Sequence, residues 1–195
     1  MRKPLFAAII LCLSVIGLFA QAAASKSVPA TVPTVDLKRY SGDWYEIARY
    51  PNRFQKECAG NVTANYSPKE NGNITVANKC LKKDGRISEA LGEARIVDKT
   101  TNSKLKVRFA PGFLSFIPKV WGDFWILNLA PDYSYAVVGD PKRQYLWILN
   151  RTPQMDTATY ESLLRSIEHQ GFMPNKLVKT SQKVDIIKGT VVEKQ

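Results

Sequence analysis

The chain has 195 residues, of which 45% are hydrophobic and 23% charged, enough for one domain with a sizeable core. Its formal net charge of +11 favours anionic partners such as lipid head groups or nucleic acid. The Lys and Arg residues are scattered, however, with no run longer than a pair such as Lys82-Lys83. A nucleic-acid surface, which needs clustered basic residues, is therefore not predicted.

Residues 1–24 have the features of a secretory signal peptide. Two basic residues precede an apolar run over residues 5–20, and small residues follow it up to Ala24. The run is shorter than the roughly 20 residues of a membrane-spanning helix, so we expect a soluble protein exported to the periplasm or the extracellular space. Large residues precede Cys12, which disfavours the alternative of a lipid-tethered form at the outer membrane. Residues 25–35, rich in Ser, Pro, Thr and Val, are predicted as a flexible leader.

Alternating apolar and polar residues then predict β-strands for more than a hundred residues. Asn71-Gly72, Asp84-Gly85 and Gly139-Asp140-Pro141 separate neighbouring stretches and favour two-residue hairpin turns between antiparallel strands. Eight strands joined by successive hairpins close most simply into an up-and-down barrel, which leaves no exposed sheet edge. The predicted strands lie near residues 43–50, 61–67, 73–80, 86–97, 103–110, 121–129, 133–139 and 144–151.

Two cysteines, Cys58 and Cys80, follow the predicted signal peptide. In an exported chain such a pair is more often a disulfide than a metal site. The turn at Asn71-Gly72 folds the flanking strands together, but a simple two-residue turn does not place the cysteines opposite each other. Either Cys58 lies in a loop that curls back, or a bulge shifts the register.

Helical periodicity replaces strand periodicity after Pro153. Asp156 is a candidate N-cap, and Gly171 stands where the helix would end. Between them, apolar residues repeat at the spacing of one helix face, namely Tyr160, Leu163, Leu164 and Ile167. We therefore predict an all-β fold over residues 36–182, an eight-stranded antiparallel barrel with one C-terminal α-helix packed outside. Residues 183–195 are predicted as a basic, loosely ordered tail.

Several segments resemble, in the right order, signatures of the lipocalin family. Residues 42–50, GDWYEIARY, are similar to the family's Gly-x-Trp first strand, and residues 145–153 to its last strand, with the arginine at Arg151. Residues 64–72 resemble strands of the bacterial outer-membrane lipocalins and of the apolipoprotein D branch. The chain departs from the family at 131–133, where Pro-Asp-Tyr replaces Thr-Asp-Tyr. It also lacks a cysteine at the end of the signal, where many bacterial members are lipid-modified.

The resemblance implies that Trp44 and Arg151 are structural and form the barrel floor, with the guanidinium over the indole, a contact able to contribute about 2 kcal/mol. It also implies a ligand cavity inside the barrel, for which an ordinary filled core is the alternative. The residues predicted to bind the ligand there are mostly apolar, with a few hydroxyls and one amide: Tyr66, Asn78, Val107, Phe109, Phe124, Ile126, Tyr135, Trp147 and Leu149.

The connection over residues 109–118 is unusually apolar and includes Phe113 and Phe116. Such residues in a loop would form an apolar rim at the barrel mouth. Arg108 and Lys119 flank this rim and could contact phosphate or carboxylate groups of an anionic membrane surface. The alternative is a loop that folds back on the barrel.

The sequence offers little for catalysis. His169, the single histidine, lies off the apolar helix face and is predicted to be solvated, and Glu46 on the first strand is one carboxylate alone. No metal-ligand spacing or phosphate-binding loop occurs, so we predict no enzyme, cofactor or metal. We expect a monomer or weak dimer that binds, transports or stores a small hydrophobic ligand such as a fatty acid or lysophospholipid. A lipid-modifying enzyme and a basic polyanion-binding module are the alternatives.

Overall fold

A computed structural model of the chain describes residues 27–187 and 190–193. The predicted signal peptide and Cys12 lie outside these residues. The barrel strands are β1 (Gly42–Arg49), β2 (Cys58–Pro68), β3 (Ile74–Lys82), β4 (Ile87–Ile96), β5 (Lys104–Arg108), β6 (Gly122–Leu129), β7 (Tyr135–Gly139) and β8 (Leu146–Asn150). Each pairs antiparallel with the next in sequence, and β1 pairs with both β2 and β8, which closes the wall. The predicted up-and-down barrel is confirmed.

Two helices complete the core of the fold: α1 (Leu37–Tyr40) before the first strand and α2 (Thr157–His169) after the last one. The carboxylate of Asp156 accepts a hydrogen bond from the backbone N–H of Thr159, so it caps α2 as predicted. Within the described residues, neither helix is long and apolar enough to cross a membrane.

The turns of the β2–β3 and β3–β4 hairpins differ from the predicted two-residue turns. At the β2–β3 connection, the N–H of Gly72 donates to the carbonyl of Lys69. Gly72 has a left-handed φ of 81°, whereas Asn71 does not have a positive φ, which a primed two-residue turn would require. Gly85 has a φ of 83° in the β3–β4 connection and donates to Lys82 in the same way. A left-handed glycine after the turn therefore closes both hairpins with one more residue than expected.

Two apolar clusters lie on opposite faces of the barrel wall. The inner cluster fills the barrel and includes Trp44 and Ile126, neither of them exposed. The outer cluster lies between the wall and α2, and it joins Ile148 of β8 to Leu163 and Ile167 of the helix. The apolar helix face predicted from the sequence thus covers the outside of the barrel.

The predicted flexible leader is packed against the barrel where the structure describes it. Val35 is 1% exposed and belongs to the inner cluster. Its backbone N–H donates to the carbonyl of Thr101, and that of Val32 donates to the carbonyl of Ile126. These bonds fix residues 31–35 across the end of the barrel where α1 lies.

The C-terminal residues form strands rather than the predicted loosely ordered tail. β9 (Val178–Lys179) pairs with the C-terminal end of β1, and β10 (Val184–Ile187) pairs with β11 (Thr190–Glu193). Between them, the side-chain amide of Gln182 donates to the carbonyls of Glu46 on β1 and Val62 on β2, at 2.7 and 2.8 Å. The segment from β9 to Val184 therefore fills the gap where β1 and β2 separate.

Candidate functional site

The floor of the barrel is formed by Arg151 and Trp44. The guanidinium carbon of Arg151 lies 3.8 Å from the centroid of the Trp44 ring. The same guanidinium donates to the carbonyls of Asp43 and Arg39, both at 2.7 Å, and the indole N–H donates to the carbonyl of Tyr40. The indole and the guanidinium are thereby both paired with backbone carbonyls, and the two residues join the end of β8 to α1 and β1.

The cavity inside the barrel is so narrow that about one water molecule would fit. Four of the predicted ligand-binding residues line it, and the lining as a whole comes from α1 and five strands: Leu37, Tyr40, Tyr66, Ile74, Val76, Ala94, Leu105, Val107, Phe124 and Ile126. Leu149, also predicted, packs in the same inner cluster.

Two tyrosines give this apolar space a small polar component. The hydroxyl of Tyr40 is buried and has no hydrogen-bond partner. Burial raises the pKa of Tyr40 well above its ordinary value, with Tyr66 adding to the rise and Arg151 opposing it. Burial likewise raises the pKa of Tyr66, and the carboxylate of Glu46 contributes to that rise. Both hydroxyls therefore remain protonated at neutral pH and can donate hydrogen bonds.

Asn78 and Phe109 lie farther toward the mouth. Asn78 follows Ile74 and Val76 on the inner face of β3, and its Oδ1 is buried without a hydrogen-bond partner. Phe109 follows β5 and is 44% exposed. Its ring lies against Gly92, where an added Cβ would come within 2.7 Å of it, so the absence of a side chain at Gly92 makes room for this ring.

The prediction that Tyr135 faces the cavity is wrong. Tyr135 packs against the outer cluster beneath α2, while its neighbours Ala136 and Val138 face inward. Side chains alternate across the wall along a strand, so an inward Ala136 places Tyr135 outside. The inner face of β7 thus consists of small residues, which leave room inside the barrel.

A hydrogen-bonded network spans the mouth of the barrel. The Oε1 of Gln55, from the short turn after β1, accepts from the indole N–H of Trp147 at 3.0 Å. Gln55 donates in turn to the carboxylate of Glu46, whose other oxygen accepts from the Thr180 hydroxyl. Trp147 packs on the inner cluster, and its ring stacks on Tyr145 with 5.9 Å between centroids. The predicted Trp147 is therefore held at the mouth by a residue that sequence patterns do not indicate.

Glu46 is a buried carboxylate on the inner face of β1, opposite Leu149. Burial raises the pKa of Glu46 above its ordinary value, although hydrogen bonds from Thr180 and Gln55 and the charge of Arg49 act in the opposite direction. Both of its oxygens accept hydrogen bonds from protein donors. His169 is exposed, as expected.

The apolar loop after β5 combines both arrangements considered for it. Phe113 and Phe116 are 75% and 79% exposed, so its tip stands out from the barrel. Trp121 at its end folds back, and its indole N–H donates to the carbonyl of Ser115 at 2.7 Å. Arg108 does not flank the tip as a free cation, because its guanidinium binds the carboxylate of Glu93 and stacks on Trp121.

Cys58 and Cys80 form a disulfide, as predicted, with their Cα atoms 5.7 Å apart. Of the two expected geometries, the structure has the bulge. The pairing of β2 with β3 shifts between Cys58 and Gly60 and again between Gly60 and Thr63. Asn61, which lies within this irregular stretch, has a left-handed φ of 50°. The extra residues bring Cys58 beside Cys80 at the mouth end of the hairpin.

Comparison with known proteins agrees with this architecture. The family described as the lipocalin-like domain matches residues 35–182. The chain is 42% identical over 153 residues to temperature-induced lipocalin-1 of Arabidopsis thaliana, covering 77% of this chain and 81% of that one. It is 34% identical over 165 residues to the outer membrane lipoprotein Blc of Escherichia coli (strain K12), covering 83% and 89%.

Apolipoprotein D of Rattus norvegicus is 37% identical over 171 residues, with 83% of this chain and 78% of that protein covered. Among solved structures, insecticyanin from the tobacco hornworm Manduca sexta superposes with a TM-score of 0.63 at 20% identity, covering 80% and 84% of the two chains. This likeness concerns the fold alone. From the barrel, the floor and these matches together, the chain belongs to the lipocalin family, whose members bind small hydrophobic ligands.

Proposed function

We propose that the protein binds an elongated apolar molecule, such as a fatty acid or a lysophospholipid, inside the barrel, and transports or stores it without changing it chemically. The apolar cavity above Trp44 is the observation that carries this proposal. Its lining comes from α1 and the five consecutive strands β2 to β6, so a ligand there would lie against apolar side chains of half the barrel wall and of α1. Ligand sites of this kind are concave, mostly apolar and provided with a few polar groups.

Binding requires the lining to open, because the cavity is narrow. The ring of Phe124 lies 5.9 Å from that of Tyr66 across the cavity, and Phe124 is only partly buried. Rotation of this side chain would join the cavity to the space below the mouth. Burying ten methylene groups there would contribute about 8 kcal/mol before the costs of ordering, so we expect dissociation constants in the micromolar range or weaker.

Substitution at Phe124 tests the proposal. Phe124→Trp adds volume to a side chain that lines the cavity and should weaken binding of a fluorescent fatty acid at least about tenfold. Trp125→Phe is the matched control, since Trp125 packs on the outer cluster and should leave the affinity unchanged. Equal affinities of folded Phe124→Trp and wild-type protein would contradict a ligand in this cavity. Native mass spectrometry of the purified protein then identifies the ligand by its mass.

The environment of Glu46 argues against the lipid-modifying alternative. A general base must have a carboxylate oxygen within reach of the proton that it removes. Both oxygens of Glu46 already accept hydrogen bonds, from Gln55 and Thr180. These bonds hold Glu46 in the network at the mouth, and the single histidine of the chain, His169, is exposed on α2 outside the barrel and so lies too far away to share a proton with it. The arrangement therefore supports binding better than it supports acid-base chemistry.

We further propose that the mouth of the barrel contacts an anionic membrane surface. The connections β1–β2, β3–β4, β5–β6 and β7–β8 lie at this end, and they carry seven basic and three acidic residues. Phe54 in the first connection is exposed, as are Phe113 and Phe116 in the third. Apolar side chains surrounded by basic ones are suited to a membrane surface, where anionic head groups cover an apolar layer of acyl chains.

Vesicle sedimentation tests this contact. Replacing Phe113 and Phe116 by serine should reduce binding to vesicles of phosphatidylglycerol and phosphatidylcholine, and vesicles of phosphatidylcholine alone should bind less wild-type protein. Val97→Ser is the control, because Val97 is exposed at the opposite end of the barrel. Equal sedimentation of the double variant and the control would contradict the contact. We also propose that the protein is exported to the periplasm or the extracellular space and that it is a monomer or a weak dimer.

A further inference from the structure

Arg49, at the end of β1, faces the interior of the barrel at the mouth. It pairs in register with Trp147, and paired residues on adjacent strands share a face. Trp147 packs on the inner cluster, so Arg49 points inward too. Its side chain is only 15% exposed. It lies five positions after Trp44 of the floor, which corresponds to about 16 Å along a strand.

Arg49 leaves its hydrogen-bond donors unused. Its buried Nε has no partner, and among the described residues its one ion pair is with Glu46 at 3.7 Å, beyond hydrogen-bond distance. The carboxylate of Glu46 is held instead by Gln55 and Thr180, each of which donates a hydrogen bond to one of its oxygens. An arginine carries five N–H donors, and a buried charge without hydrogen bonds is costly.

The other partly buried arginines of the described chain do not share this condition. Arg151 donates to several backbone carbonyls at the floor. Arg108 donates to Glu93 and to the carbonyl of Ala110, and Arg143 to the carbonyls of Gln170 and Ser27. Each of these guanidinium groups donates at least two hydrogen bonds within the protein, although the Nε of Arg108 is unpaired like that of Arg49. The guanidinium of Arg49 donates none to the described residues, and it is available to a molecule that enters the mouth.

We propose that Arg49 binds the anionic end, a carboxylate or a phosphate, of the amphipathic ligand whose apolar chain lies in the cavity. The planar fork of the guanidinium matches either anion with two parallel hydrogen bonds. The unpaired Oδ1 of Asn78, also on the inner face, accepts a hydroxyl of the ligand or of a bound water. This inference rests on the proposed binding function and adds to it a polarity: chain toward Trp44, anion at the mouth.

Paired ligands that differ only in charge test the inference. Dissociation constants are measured for a long-chain fatty acid and the fatty alcohol of the same length, and for a lysophosphatidic acid and the matching monoacylglycerol. Wild-type protein should bind the anionic member of at least one pair more tightly, and the pair with the larger difference identifies carboxylate or phosphate. Arg49→Gln should weaken binding of that anion at least about tenfold and change binding of its neutral counterpart less than about twofold.

Two further variants keep the test decisive. Arg53→Gln removes the same charge from an exposed position at the same mouth and should change neither constant. Arg49→Lys keeps the charge without the fork and should give an intermediate loss, which remains measurable if Arg49→Gln does not fold. An equal loss for acid and alcohol, or equal wild-type affinities within both pairs, would overturn the role of Arg49 while leaving the cavity in place. Wild-type protein that binds neither member would contradict the proposed function itself.

Discussion

Replacing Arg151 by alanine should destabilise the barrel without affecting its ligand site. The change removes a cation 3.8 Å above the Trp44 ring, a contact worth up to about 2 kcal/mol when it is shielded from water. It also removes charged donors from the carbonyls of Asp43 and Arg39, which water can replace only in part. We expect a total loss of about 3 kcal/mol in the free energy of unfolding.

Thermal unfolding followed by circular dichroism measures this loss. For a domain of this size, about 3 kcal/mol corresponds to a fall of roughly 10 °C in Tm. Arg151→Lys is the matched variant, because it keeps the charge but loses the planar fork that reaches two carbonyls at once. Its Tm should lie between those of the wild-type protein and Arg151→Ala. The fatty-acid affinity of folded Arg151→Ala should change less than that of Trp147→Ala. A fall in Tm below about 2 °C, or the reverse ranking of affinities, would refute this account of the floor.

Trp147→Ala should leave the protein folded but weaken fatty-acid binding, since it removes an apolar contact of about 2 kcal/mol; an unchanged dissociation constant would remove Trp147 from the ligand site. Reducing the Cys58–Cys80 bond, which joins residues 22 apart, should lower the free energy of unfolding in urea by about 3 kcal/mol, and equal midpoints with and without reductant would contradict this. Hydrogen bonds, with that from Asn73 lowering the pKa most, hold the pKa of Glu93 at about 2 instead of 4.5. Since this pKa is depressed by folding, its contribution to stability is present above pH 4.5 and is lost as the pH falls toward 2. Glu93→Gln should flatten the pH dependence of Tm over that interval, and parallel curves would show that other carboxylates cause it.

The sequence is informative wherever one face of an element is apolar and the other polar. Asp156 and the helix face after it were predictable for this reason, as were the strand positions. In β7 the same reasoning fails for Tyr135. Both faces of this strand are covered, by the inner cluster and by α2, so all its residues are apolar and alternation cannot indicate which of them face inward.

Contacts between distant parts of the chain explain the remaining differences. Val35 lies in a Pro- and Thr-rich stretch, and its hydrogen bond to Thr101 has no local signal. Gln55 lies in a loop after β1, yet it binds Glu46 and Trp147. Arg49 belongs to the segment that resembles the lipocalin signature, but its unpaired state depends on which donors occupy the oxygens of Glu46. Such features follow from the closed barrel and not from any single segment.

The bridge formed by Gln182 has a consequence for the order of folding. A side chain supplies two N–H donors to Glu46 and Val62, where neighbouring strands elsewhere in the wall supply them from their own backbones. Residues 178–184 leave the ribosome after all eight barrel strands. The β2–β3–β4 meander can therefore form before this segment docks, but the part of the β1–β2 seam beyond Tyr45 and Thr63, where the direct pairing of the two strands ends, stays open until then. Docking of residues 178–184 is thus the step that closes this last part of the wall.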